Sequence, residues 1–138
     1  MKIHLKIILL SACTFLTLAR CTNDTASPSA GILSIPGNDG WKITRFWDQD
    51  KDETADFSAY TFYFRTGNVF EAVSNSGTVT GVWNTGTDDG TNRLNLSVSS
   101  AKPLSELNDN WIIIESGEHL IRLQDDNTGH PEEVVFEK

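Results

Sequence analysis

The densest chemistry in the chain lies in Asp48-Gln49-Asp50-Lys51-Asp52-Glu53, with Asp56 a little further on. Carboxylates at alternate positions can converge oxygens on a hard cation such as calcium. Asp48, Asp50 and Asp52 copy the spacing of the first ligands of a helix-flanked calcium loop, and Asp56 adds a fourth carboxylate. Glu53 stands where such a loop turns on glycine, and Ala59 where it closes with a bidentate glutamate. The alternative reading is a solvated acidic loop whose charge keeps the protein soluble. Asp125-Asp126-Asn127 would add oxygens if the topology brings it to the same end.

A second set of residues is aromatic. Trp41, Trp47, Tyr60, Phe62, Phe64, Trp83, Trp111 and Phe136 fall mostly on one side of the expected strands. An eight-stranded barrel either fills with side chains or holds one small ligand. In the hollow case Trp47, Tyr60, Phe62, Trp83 and Trp111 are the ligand-binding residues, with Trp47 at the rim, where its ring could stack on a sugar. In the filled case they are core. Enzyme signals are poor. His119 and His130 are the histidines beyond the leader, and the chain shows no Gly-x-Ser-x-Gly, phosphate loop or paired histidines. Each histidine reads as structural or solvated, and no catalytic residue is assigned.

From Trp41 onward the hydrophobic period is two, which positions these groups on strands. Eight strands are expected: about 41–47, 59–66, 68–74, 78–84, the Leu94, Leu96, Val98 run, 111–116, 118–124, and a last one carrying Val134 and Phe136. Gly67-Asn68, Asn75-Ser76-Gly77, Asp89-Gly90, Ser116-Gly117 and Asn127-Thr128-Gly129 supply the turns. One short helical turn is expected at Pro103 to Leu107. Such a chain reads as an all-β, antiparallel up-and-down barrel, since closure removes aggregation-prone edges. In a meander, alternate connections share an end. The long ones, 48–58, 100–110 and 125–131, therefore sit together, opposite the entry of the tether. Ile112-Ile113-Ile114 breaks the alternation and needs cover on both faces, from the helical turn or from a partner.

The N-terminus decides location. Lys2, His4 and Lys6 precede the apolar run Ile7 to Leu18, which is shorter than the roughly 20 residues of a membrane span. Leu18-Ala19-Arg20-Cys21 follows and resembles the lipobox of bacterial lipoproteins, with Arg20 in place of the usual small residue. Leu10-Ser11-Ala12-Cys13 fits that box better but leaves too little apolar core. Residues 1–20 read as a lipoprotein signal peptide, Cys21 as the lipidation site and 21–39 as a flexible tether. Asp24-Thr25-Ala26 in it resembles an O-glycosylation acceptor or is plain linker. The barrel domain spans 40–138. Of the 11 basic residues three (Lys2, Lys6, Arg20) leave with the leader and none of the 19 acidic ones does, so the net charge falls from −8 to about −11. That excludes nucleic acid, whose binding rests on phosphate neutralisation. Membrane attachment must come from covalent lipid. With two cysteines, Cys13 in the leader and Cys21 acylated, no disulfide framework forms.

The body resembles the small lipocalin-like lipoproteins of Bacteroidota. The residues that carry this are Gly40-Trp41-Lys42-Ile43, the acidic loop, Tyr60 to Phe64, Gly81-Val82-Trp83, Leu104 to Trp111 and Val135 to Lys138. Gly40 adjoins Trp41 directly, so the Gly-x-Trp opening of true lipocalins is not met. The resemblance implies an eight-stranded barrel and ligand carriage, without naming a ligand. The expectation is a lipid-anchored protein of the bacterial envelope, at the outer membrane, with a non-catalytic binding role for a small apolar ligand or glycan. The alternative is a filled barrel that contacts another envelope protein through its long acidic loops. No cofactor is expected beyond calcium at the acidic loop.

Overall fold

The computed structural model describes residues 38–138. The expected leader, Cys21 and most of the tether lie outside the described residues. The strands are β1 (Lys42–Asp48), β2 (Lys51–Asp52), β3 (Thr61–Arg65), β4 (Val69–Ser74), β5 (Gly77–Asp88), β6 (Thr91–Val98), β7 (Asp109–Ser116), β8 (Leu120–Gln124) and β9 (Glu132–Glu137). Two 3-10 turns, Thr54–Phe57 and Leu104–Leu107, sit in the long connections. All strands form one antiparallel sheet in the order β2-β1-β9-β8-β7-β6-β5-β4-β3.

Alternation explains which side chains go inside. Phe62 and Phe64 of β3, Phe70 and Ala72 of β4, Leu94, Leu96 and Val98 of β6, and Ile121 and Leu123 of β8 are buried, while their sequence neighbours face outward. They join Trp41, Phe46, Phe57, Trp111, Val134 and Phe136 in one core. Phe62 alone meets the rings of Phe57, Tyr60, Phe70 and Phe136 at centroid distances of 6.4, 6.0, 5.8 and 5.6 Å. Asp89-Gly90 turns β5 into β6 with φ of 46° and 78°, the left-handed pair that suits the strand twist.

Three expectations need correction. Among the described residues there are nine strands instead of eight, because the acidic loop forms its own two-residue strand, β2, paired with the end of β1. A second helical turn joins the expected one, and both are 3-10. The ladder that the structure shows is one open antiparallel sheet with β2 and β3 as its end strands. A single bridge, Trp41 to Phe62, connects the residue before β1 to β3. The third correction is His119, which lies in the turn before β8 and not in a strand.

The isoleucine triplet alternates out, in, out, and a bulge follows it. The β7–β8 register jumps between Ile113 and Glu115. Ile113 packs against the core, whereas Ile114 and Glu115 both lie exposed. An extra residue in one strand shifts the facing by one. Ile114 faces outward by plain alternation with Ile113 and is 51% exposed, and the bulge keeps Glu115 out of the core as well.

Candidate functional site at the loop-bearing end

The three long connections do share an end. Gln49 N–H donates to the Pro131 carbonyl at 2.9 Å, which ties the β1–β2 hairpin to the β8–β9 connection. Glu53 N–H donates to the Phe46 carbonyl at 3.0 Å, and Phe46 N–H donates to Thr54 Oγ1 at 2.8 Å. These bonds hold Glu53 against β1, where it is only 8% exposed. The third connection is anchored by Leu104 and Leu107, both buried, and by Trp111 Nε1, which donates to the Leu107 carbonyl at 3.0 Å. That turn brings Glu106 to Asp48 and Glu53 of the first connection.

The result is a carboxylate triad. Asp48, Glu53 and Glu106 offer oxygens that all lie within 4.8 Å of one another. Lys51 bonds Glu53 and Lys102 bonds Glu106, each through its ammonium. The Lys51 hydrogen bond holds the Glu53 carboxyl below its ordinary value, against the opposing effect of burial. Lys51 and Lys102 are raised in turn by the same contacts. Asp48 Oδ1 is buried and has no hydrogen-bond partner among the described residues.

Glu132, at the start of β9, is the most perturbed group. Burial, then the charges of Asp48, Asp125, Asp109 and Glu106, push it up to about 7. Its backbone N–H donates to Asp125 Oδ1 at 2.9 Å, which fixes Asp125 beside it. This end therefore carries more negative charge than its two lysines offset.

The expected metal set, Asp48, Asp50, Asp52 and Asp56, is not the set that meets. Only Asp48 joins the triad. Asp50 is exposed at the hairpin tip, beside Gln49, whose φ is 56°. Asp52 is exposed, and its Oδ1 accepts the Thr54 N–H at 3.0 Å. Asp56 is exposed in the first 3-10 turn. The reason is the hairpin: paired strand residues splay their side chains, where a coiled loop would turn them inward. Asp126 is also drawn away, to Arg93 at 3.0 Å. Sequence reasoning misses Glu106 and Glu132. The shared end of the long connections is the signal that points to Glu106.

The five aromatic ligand candidates divide. Phe62 and Trp111 are fully buried in side-chain packing. Trp83 is half-buried; its Nε1 donates to the Arg65 carbonyl at 3.0 Å and its ring meets Phe64 edge-on at 5.7 Å. Tyr60 is half-buried and leans on Phe62. Trp47 is half-buried, with Nε1 bonded to the Gln49 carbonyl at 2.7 Å and the Arg45 guanidinium 5.1 Å from its ring centre. They do not form one lined site.

No protein-family profile, curated protein or solved structure matches this chain. Among the described residues no helix is long and apolar enough to cross a membrane.

Proposed function

We propose that this protein is a lipid-anchored, non-catalytic contact protein of the bacterial envelope, held by acylated Cys21 and presenting its acidic loop end to a partner protein. In this reading the sheet curls into a lipocalin-like barrel whose interior is filled. One observation carries it: Phe62 and Trp111, which a hollow carrier needs as ligand contacts, are spent on packing the core. In this reading the tether joins the fold at the start of β1 and the loop end begins where β1 ends, so lipid and contact surface do not compete. A fluorescent fatty acid such as cis-parinaric acid tests the reading. No saturable fluorescence rise is expected. Saturable binding with quenching of tryptophan emission would replace the contact role with ligand carriage.

A second reading concerns the same end. The triad of Asp48, Glu53 and Glu106 suits a hard cation such as calcium, because the three oxygens are close and Asp48 Oδ1 is buried and unpartnered among the described residues. Its donors come from two separate connections, so a bound ion would tie them together. Thermal melting with calcium against chelator tests it, since a ligand of the native state raises the midpoint.

A further inference from the structure

A polar groove of about 200 Å³ lies on the outward face of β5, β6 and β7, away from the carboxylate triad. Three asparagines cross its floor in register. Asn84 stands opposite Asn95, and Asn95 opposite Asn110. None of the three side-chain amides has a hydrogen-bond partner among the described residues. Two residues along on the same face, Gly86 stands opposite Arg93. A Cβ on Gly86 would meet no heavy atom within 4 Å, so the glycine leaves the groove open there.

Arg93 forms the wall. Its Nη1 donates to the Asn110 carbonyl at 3.0 Å, and its Nη2 pairs with Asp126 at 3.0 Å. Its Nε lies 3.7 Å from Asp88, too far for a hydrogen bond, and is buried without one among the described residues. Two carboxylates thus surround one guanidinium, and the wall carries no positive excess.

We propose that this groove binds a neutral, hydroxyl-rich ligand, a short glycan, through the Asn84–Asn95–Asn110 row. The chemistry selects that class. Each amide offers donors and an acceptor together, which matches hydroxyls that both give and accept. The paired aspartates repel anions. The floor is the middle of a sheet face, so a peptide cannot add as an extra strand. Neighbouring strands lie about 4.8 Å apart, so three amides span roughly 10 Å, the reach of a disaccharide. The volume is below the roughly 300 Å³ at which drug-sized pockets begin, which again fits a small polar unit.

The test is a nitrogen-15 NMR titration of the full chain that follows the side-chain amides of Asn84, Asn95 and Asn110. Cellobiose, maltose and N,N′-diacetylchitobiose are added in turn, with galacturonic acid as the anionic counterpart. At least one neutral disaccharide is expected to shift these amides saturably, with a Kd on the order of millimolar. Asn95→Ala should weaken that binding about fivefold or more. Gly86→Val removes no polar group and should abolish it, at an unchanged unfolding midpoint. The proposal is overturned if none of the three sugars gives saturable shifts. It is equally overturned if Gly86→Val binds like the parent, or if galacturonic acid binds more tightly than every neutral sugar.

Discussion

The backbones of Trp41 and Phe62 exchange two hydrogen bonds of 2.8 Å, although β1 and β3 lie far apart in the strand order. Further contacts line this seam. Lys42 Nζ donates to the Tyr60 carbonyl at 2.6 Å, and Arg65 Nη1 donates to Asn38 Oδ1 at 3.1 Å. The segment before β1 therefore covers the outer edge of β3, which would otherwise expose unpaired backbone groups. Gly40 permits the approach, because a Cβ there would come within 2.6 Å of Thr61 Cγ2.

This seam predicts strong protection. The amides of Trp41 and Phe62 should exchange with deuterium as slowly as those of β6. Trp41→Ala should lower unfolding free energy by about 3–5 kcal/mol, as for other fully buried aromatic residues. Fast exchange at both amides, in an otherwise protected sheet, would show the seam to be open in solution.

Glu132 predicts a pH dependence. Its folded pKa of about 7 exceeds the ordinary 4.5. Between these values the folded state holds a proton that the unfolded chain has released. The contribution of this group is thus fully present below about pH 4.5 and is lost as pH rises through 7. A tenfold change in proton affinity is worth about 1.4 kcal/mol, and solvent at this half-buried site reduces the total to on the order of 1–2 kcal/mol. Glu132→Gln should be more stable than the parent at pH 8 and should flatten the profile between pH 5 and 8, on the order of 1 kcal/mol by urea unfolding. An unchanged profile would mean that Glu132 titrates normally.

Calcium should raise the melting midpoint, by about 2.7 kcal/mol of stability at a hundredfold excess over Kd. Glu106→Gln should remove the effect. Lys102→Gln should strengthen it, because Lys102 competes for Glu106. A midpoint indifferent to calcium and chelator would eliminate the cation reading while leaving the contact role intact.

Gly81 predicts a steric penalty. It pairs with Val98, and an added Cβ would lie 2.5 Å from the Ser97 carbonyl oxygen, a backbone atom that cannot swing aside. Gly81→Ala should cost about 1–3 kcal/mol, the usual range for overpacking. Gly86→Ala, further along the same strand, should cost nothing measurable by the same denaturation assay.

Much of the sheet is legible in the order of the residues. Phe62 and Phe64 against Tyr63, Leu94 and Leu96 against Asn95, and Ile121 and Leu123 against Arg122 all take the faces that period two assigns. The differences fall where alternation is broken. Thr44 and Ile114 sit at register shifts, and no single-strand pattern announces an extra residue opposite a partner strand. The acidic run reads as one loop of converging carboxylates, whereas a hairpin with Gln49 at its tip splays it.

The sequence by itself determined that the chain is β-rich, which residues of most strands share a face, and that its long connections share one end. All three follow from local periodicity and from the antiparallel order of a meander. Tertiary structure alone decided which carboxylates meet, because Glu106 reaches Asp48 and Glu53 across a long separation in the chain. It also decided that Asn84, Asn95 and Asn110 form a row. Such encounters depend on strand register, and register is set by pairing between segments, where a step of one residue turns every side chain to the other face.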